Sequence, residues 1–429
     1  MAFIIAILFI LIMLLGIPVA FVIGITVLIY MLLTDISLVL IPQRMFVGID
    51  SFVLMAVPFF ILAGGIMNAG GLTKRLIRFV YVLVGTFRGG LAYINVIVSM
   101  IFAGITGAAT ADVSSIGAIL IPAMKKEGYD VGFSAAITAA SSTIGGIIPP
   151  SLPFIVYAIT AGNVSVAALF LGGVIPGLMI GLFQILAIRL FFMKKCPPVV
   201  KHERISLSNV PKEARDAILA LIMPLIMVGG ILTGLFTPTE ASAIACVYAL
   251  IVTSFVYKEL TISELQKVIL NSAVITGACF LIIAVSASLG WVLTAEMVPL
   301  KLSTWIFSLT NNTYLVLILV ILFLLFIGTF METLAALIIT VPILLPTLVK
   351  LGLNPVHAGI MICFALYIGL ITPPVGICLY IASSISGLSI EKISKAIFPF
   401  IILSVLVLLI VAYFPDITLF VPRLFGKIR

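Results

Sequence analysis

Two short stretches concentrate the oxygen chemistry of this chain: Ser141-Ser-Thr-Ile-Gly-Gly-Ile-Ile-Pro-Pro-Ser151 and Gly369-Leu-Ile-Thr-Pro-Pro-Val-Gly376, each inside an apolar run. Proline removes a backbone donor and clashes with the preceding turn, so neither stretch continues as an α-helix. In lipid the freed carbonyls must be satisfied by neighbouring protein, by water or by a bound ion. Around the first break, Ser142, Thr143, Gly145, Gly146 and Pro149 offer hydroxyls and unwound backbone. Around the second, Thr372, Pro373 and Gly376 do the same. Such hard oxygen ligands suit Na+ without requiring a carboxylate. Beyond each break a half-helix N-terminus carries partial positive charge and free N–H groups, which suits an anion. Thr106, Thr110, Ser141, Ser151 and Thr372 are the hydroxyls placed to contact that anion.

Asp112 and Glu332 follow small-residue interruptions of other apolar runs. Intramembrane carboxylates are costly and default to function, here in ion coupling. Each could equally cap a helix or sit in a wet vestibule. Glu240, in Thr237-Pro-Thr-Glu240, reads as a helix-start carboxylate, and His357 as incidental to the chemistry. The five cysteines have no metal-ligand spacing and form no disulfide framework.

The elements that position these residues must lie in a bilayer. Of 429 residues, 63% are hydrophobic and only 9% charged, against about 25% charged in soluble domains. The expected class is an all-α polytopic membrane protein with about ten crossings and two further hairpins. A net charge of +8 scattered over short loops reports orientation and excludes a nucleic-acid footprint. No cleavable signal is evident.

Residues 1–193 read as one repeat, with scaffold helices in 1–69, a surface arm helix at 72–88, a re-entrant hairpin at 91–124 and a broken helix at 132–160. Residues 2–33 are one kinked helix or two helices around Gly16-Ile-Pro18. A following helix carries Gly173, Gly177 and Gly181, a close-packing face. Residues 194–216 form a basic cytoplasmic connector. Residues 217–429 repeat the order: scaffold helices at 217–290, a surface arm at 291–312, a hairpin at 314–349, a broken helix at 356–382 and a last helix at 396–414.

The two halves share a register. Pro122 and Pro346 are 224 residues apart, as are Gly104 and Gly328, and the pairs Pro149-Pro150 and Pro373-Pro374. That spacing does not superpose Asp112 on Glu332. An odd number of crossings between the hairpins implies inverted-topology repeats. Placing the connector inside puts most basic residues inside and the hairpins entering from opposite faces, the first from the cytoplasm. Both termini then lie outside if residues 2–33 are two helices, and the N-terminus lies inside if they are one.

At this point the residues resemble the DctM-like (SiaM-like) large membrane subunits of tripartite ATP-independent periplasmic (TRAP) transporters. The likeness spans essentially the whole chain. It rests on Leu15-Gly-Ile-Pro-Val-Ala20, Pro58-Phe-Phe-Ile-Leu-Ala-Gly64, Gly104-Ile-Thr-Gly-Ala-Ala-Thr-Ala-Asp112, Gly146-Ile-Ile-Pro-Pro-Ser151, Phe236-Thr-Pro-Thr-Glu-Ala241 and Ile371-Thr-Pro-Pro-Val-Gly376. The resemblance implies a fold like the ion transporter superfamily and Na+-driven import of an organic acid by an elevator-type movement. It implies Na+ sites at Gly104, Thr106 and Ser142 to Pro149, and at Gly328, Thr329 and Gly369 to Gly376. It also implies residence in the bacterial inner membrane, a separate small four-helix subunit (DctQ- or SiaQ-like) and a soluble periplasmic binding protein (DctP- or SiaP-like). The substrate class would be a carboxylate, such as a C4-dicarboxylate or sialic acid.

A self-sufficient Na+/carboxylate symporter of the same broad fold is the rival. An intramembrane enzyme would need a catalytic constellation, and no Asp-rich metal motif, His-Glu-x-x-His or nucleophile with a base is present. A channel fits paired broken helices poorly. No nucleotide-binding loop exists, so ATP is not the direct energy source.

Overall fold

A computed structural model describes residues 2–428 apart from 163, 194, 195, 198–209 and 311. Most of the basic connector, including Lys194, Lys195, Lys201 and Arg204, therefore lies outside the described residues.

The first half runs α1 (Ala2–Leu14), α2 (Val19–Leu33), α3 (Leu40–Ile49), α4 (Ala56–Ala69), α5 (Leu72–Val84), α6 (Gly90–Thr106), α7 (Ala109–Lys126), α8 (Val131–Ser142), α9 (Leu152–Ala161) and α10 (Val166–Ala187). The second runs α11 (Val210–Thr233), α12 (Pro238–Ile251), α13 (Ile262–Ala295), α14 (Val298–Leu309), α15 (Thr313–Phe330), α16 (Thr333–Lys350), α17 (Pro355–Gly369), α18 (Ile377–Ser386), α19 (Ile390–Tyr413) and α20 (Asp416–Leu424). Eight helical stretches among the described residues are long and apolar enough to cross a bilayer.

Local chemistry sets these boundaries. Gly16, in the left-handed region at φ 75°, and Pro18 separate α1 from α2, so residues 2–33 form two helices. Thr237 with Glu240 and Thr261 with Glu264 build reciprocal capping boxes that start α12 and α13. Glu240 is thus a cap.

The helices depart from the expected bounds in several places. The last long helix, α19, starts at Ile390 rather than at 396, and the first arm, α5, ends at Val84 rather than at 88. The stretch between α2 and α4 holds α3, because Gln43 and Arg44 interrupt an otherwise apolar run too briefly to prevent a helix. Its Arg44 lies over the Trp291 ring, 5.8 Å from the centroid. Helix α13 spans 34 residues and includes Trp291, so the second arm begins only at α14, after Met297 turns the chain at φ 53°. Helix α11 starts at Val210 rather than at 217. After Tyr413 the chain turns at Pro415 into α20.

The two halves keep one spacing in their helices. Helices α7 and α16 start at residues 109 and 333 and end at 126 and 350; α8 and α17 start at 131 and 355; α10 and α19 start at 166 and 390. Each pair is separated by the same 224 residues as the paired prolines. Helices α8 and α9 have 12 and 10 residues. At 1.5 Å per residue neither reaches across a hydrocarbon core of about 30 Å, whereas the two joined through the break do.

Packing sorts the helices into two groups. In one, α2, α3 and α4 pack on α13, α4 packs on α12, and α5 on α11. In the other, the hairpins α6–α7 and α15–α16 enclose the broken helices, and the halves interleave: α9 packs on α16, α8 on α18 and α19, and α7 on α18. Between groups the contacts are close because the residues are small. A Cβ on Gly64 of α4 would stand 3.3 Å from the Ile105 carbonyl oxygen, and one on Gly104 of α6 would stand 2.8 Å from Pro224 of α11.

Candidate ion and substrate site

The first break begins where α8 gives way to a 3-10 turn over Thr143–Gly146. Ser142 and Thr143 donate their hydroxyls back to the Ala139 and Ala140 carbonyls, each at 2.7 Å. Gln184 of α10 also donates to the Ala140 carbonyl, at 3.0 Å. The Pro149-Pro150 bond is cis. Ser151 then closes the gap from the far side: its hydroxyl donates to the Gly146 carbonyl at 2.6 Å and caps α9 by accepting from the Phe154 N–H at 3.4 Å. One carbonyl freed by the break is thereby satisfied within the protein, as a low-dielectric interior requires.

The first hairpin tip lies against this break. Gly107 ends α6 at φ 61°, and a Cβ there would stand 2.9 Å from the Pro150 carbonyl oxygen. Across the tip Thr106 donates to Oδ1 of Asp112. Oδ2 of Asp112 is fully buried and has no hydrogen-bond partner among the described residues. A Cβ on Gly145 would collide with that oxygen. Glycine at 145 is thus what lets the carboxylate face the break. A buried, half-satisfied carboxylate is expensive unless a proton or a cation completes it.

The second site is built differently. Thr329 donates to the Phe326 carbonyl at 2.8 Å, and its own carbonyl accepts from the Gly376 N–H at 3.0 Å, tying tip to break through the backbone. Thr372 donates to the Ile368 carbonyl at 2.7 Å, and Pro373-Pro374 is cis. Gly376, at φ 61°, starts α18. Glu332 caps α16, accepting from the Leu334 N–H at 2.8 Å. The two carboxylates therefore hold unlike positions: Asp112 faces a break, and Glu332 is engaged by helix N–H groups.

The sites adjoin. The thiol of Cys378, buried at the start of α18, faces Ser142 of the first break. Tyr367 of α17 donates to the Gly107 carbonyl at 3.4 Å, and its ring fills the space beside Gly146. Gly173 and Gly177 of α10 accommodate Ile147 and Ile148 of the break, while Gly181 accommodates Met100 of α6.

The structure thus gathers Thr106, Asp112, Gly145, Gly146, Pro149 and Ser151 in one place, and Gly328, Thr329, Gly369, Thr372, Pro373 and Gly376 in the other. Gly104 lies between Pro224 and the Pro149 carbonyl. Ser141 is drawn elsewhere. It donates to Asn95 at 3.1 Å and accepts from Ser99 at 2.9 Å, in a buried network that also holds Thr138, 2.6 Å from the Asn95 amide. Thr110, half-buried in α7, presents its carbonyl to Ser114. His357 is buried with Nδ1 2.8 Å from Thr418 and Nε2 3.3 Å from the Ala412 carbonyl, which accounts for both ring nitrogens structurally.

Tyr367 and Gln184, which pack on the first break, and Asn95 and Ser99, which hold the Ser141 network, were not legible in the sequence. Asn95 and Gln184 carried a usable signal, an amide in an apolar helix; Tyr367 carried none.

Residues 6–417 match the family model described as the tripartite ATP-independent periplasmic transporter, DctM component. The chain is 36% identical to the sialic acid TRAP transporter large permease protein SiaM of Vibrio cholerae, over 96% of each chain. It is 37% identical to the C4-dicarboxylate TRAP transporter large permease protein DctM of Pseudomonas aeruginosa, over 89% of each. Among solved structures, Neisseria gonorrhoeae MtrF shares the fold, with TM-score 0.62 and 14% identity over 90% of this chain and 83% of that one. These relatives are transporter permeases rather than enzymes. A multi-pass helical chain matched from end to end in this way belongs to the DctM family, the large permease subunits of TRAP transporters.

Proposed function

We propose that this chain is the Na+-coupled permease of an organic acid importer in the bacterial inner membrane. It takes an anion of the C4-dicarboxylate or sialic acid class from a periplasmic binding protein and works with a small four-helix membrane subunit. The relatives named for sialic acid and C4-dicarboxylates support the substrate class.

The observation that carries the coupling is the buried, unpartnered Oδ2 of Asp112 turned onto Gly145 at the first break. This donor set fits a hard monovalent cation: one carboxylate, the Thr106 hydroxyl and unwound backbone, with no thiolate or imidazole. At the second break, the Thr329, Thr372 and Gly369–Gly376 backbone would hold a second ion without a carboxylate. Na+ bound at Asp112 would supply the charge that the buried carboxylate lacks. The chain's own task is to hold tip and break in register, keep water out with the apolar helices around them, and present α9 and α18 N-termini to the anion.

The helices α6–α10 and α15–α19 would form the moving part, sliding past the scaffold of α2–α5 and α11–α13 in an elevator-type cycle. The contacts of Gly64 and Gly104 across that boundary support this reading, since small residues leave a smooth interface. The common spacing of paired helices supports a repeat, and an odd number of crossings between the hairpins would insert its halves with inverted topology, the hairpins entering from opposite faces.

The test is uptake of radiolabelled carboxylates into proteoliposomes holding this chain, a candidate small subunit and a binding protein, with and without an inward Na+ gradient. Uptake that needs all three components and Na+ is expected. Vigorous uptake by this chain alone would overturn the tripartite reading in favour of a self-sufficient symporter.

A further inference from the structure

We infer that Tyr367 is the positioning residue that keeps the first hairpin tip in register with the first break and links that site mechanically to the second. The inference rests on the Na+ reading above for one of its three readouts only.

Tyr367 is 2% exposed, and a phenol buried this deeply needs a hydrogen-bond partner. Its partner is the carbonyl of Gly107, the residue that turns the first tip. The end of the same ring occupies the space beside Gly146 so fully that a Cβ there would collide with its carbons and its oxygen. Gly107 in turn lies against the Pro150 backbone. One side chain thus touches the tip and the break, and it comes from the other half of the chain.

Its place on α17 adds the second part. Two residues further on, Gly369 packs on Gly328 at the second tip. A helix transmits displacement over two residues almost rigidly, because its i to i−4 bonds set its pitch. Any shift of α17 as the second site fills therefore moves the Tyr367 hydroxyl relative to Gly107, and with it the turn that carries Thr106 and Asp112. The ring is the contact through which this happens.

Three measurements on the full chain in lipid nanodiscs or proteoliposomes decide the matter. Tyr367→Phe keeps the ring and removes only the hydroxyl. Hydrogen exchange of amides 106–112 in Na+-free buffer should then quicken about 3- to 10-fold, the loss of one buried hydrogen bond; unchanged exchange overturns the tip contact. In a double-mutant cycle on thermal stability, Gly146→Ala should lower the melting temperature of the wild type much more than that of Tyr367→Leu. Equal losses in both backgrounds overturn the ring contact. Finally, Tyr367→Phe should raise the half-saturating Na+ concentration for uptake about 3- to 10-fold and flatten the Na+ response. Wild-type uptake indifferent to Na+ overturns the Na+ reading, while the first two measurements still decide the positioning role. A Na+-dependent wild type with an unchanged variant curve overturns the link between sites.

Discussion

Gly328 and Gly369 meet backbone to backbone: a Cβ on Gly369 would lie 2.5 Å from the Gly328 Cα, and one on Gly328 would lie 2.9 Å from the Leu366 carbonyl oxygen. Neither neighbour is a side chain that can swing away. Alanine at either position must push the second tip off the second break, at a cost of about 1–3 kcal/mol for overpacking. Gly328→Ala and Gly369→Ala are expected to insert into membranes normally and to lose most uptake. Normal uptake by either, measured at matched protein density, would show that the tip contact is dispensable.

Asp112→Asn preserves the shape of the side chain and an acceptor for Thr106 while removing the charge at Gly145. Half-saturating Na+ for uptake is expected to rise at least about tenfold, the scale of losing one charge-assisted ligand. Glu332→Gln should change it far less, since the amide oxygen can still cap α16. A Na+ titration of the two variants side by side checks the ranking, and the reverse order would move the coupling role to Glu332.

Asn95 joins α6 to α8 through Thr138 and Ser141. Asn95→Leu removes two hydrogen bonds worth about 0.5–1.5 kcal/mol each, while Thr138 and Ser141 keep their bonds to the Ser134 and Thr138 carbonyls. The melting temperature in detergent should fall by several degrees. Ser99→Ala, which removes only a donor to Ser141, should cost less. Thermal unfolding followed by intrinsic fluorescence or scattering reads both.

Arg75 fastens the arm helix α5 to the second half of the chain. Its guanidinium lies 2.7 Å from Glu259 and 3.8 Å from the centroid of the Tyr257 ring. The ion pair is partly exposed, so it contributes only about 0.5–1 kcal/mol, with the stacked ring adding a similar amount. Arg75→Lys retains the charge but loses planar stacking, and its stability should fall between wild type and Arg75→Ala. Equal melting temperatures for the two variants would assign the whole effect to the ring.

Much of this architecture was legible in the chain itself. Apolar length marked the spans, because a bilayer sets a minimum run that composition cannot disguise. Proline pairs marked both breaks, because a missing donor and a ring clash stop a helix in any context. The spacing shared by Pro122 with Pro346 and by the two proline pairs recurs in the starts of α7 and α16, α8 and α17, and α10 and α19. What only the tertiary structure decided was which groups meet. Asp112 and Glu332 read alike in sequence, yet one faces Gly145 and the other caps its own helix, since that choice depends on a neighbour from another segment. Ser141 and Ser142 are adjacent, but a helix turns successive side chains by 100°, sending one to Asn95 of α6 and leaving the other bonded to the Ala139 carbonyl of its own helix. Tyr367 lies 260 residues from Gly107; contacts at that separation are set by packing, and no local pattern encodes them.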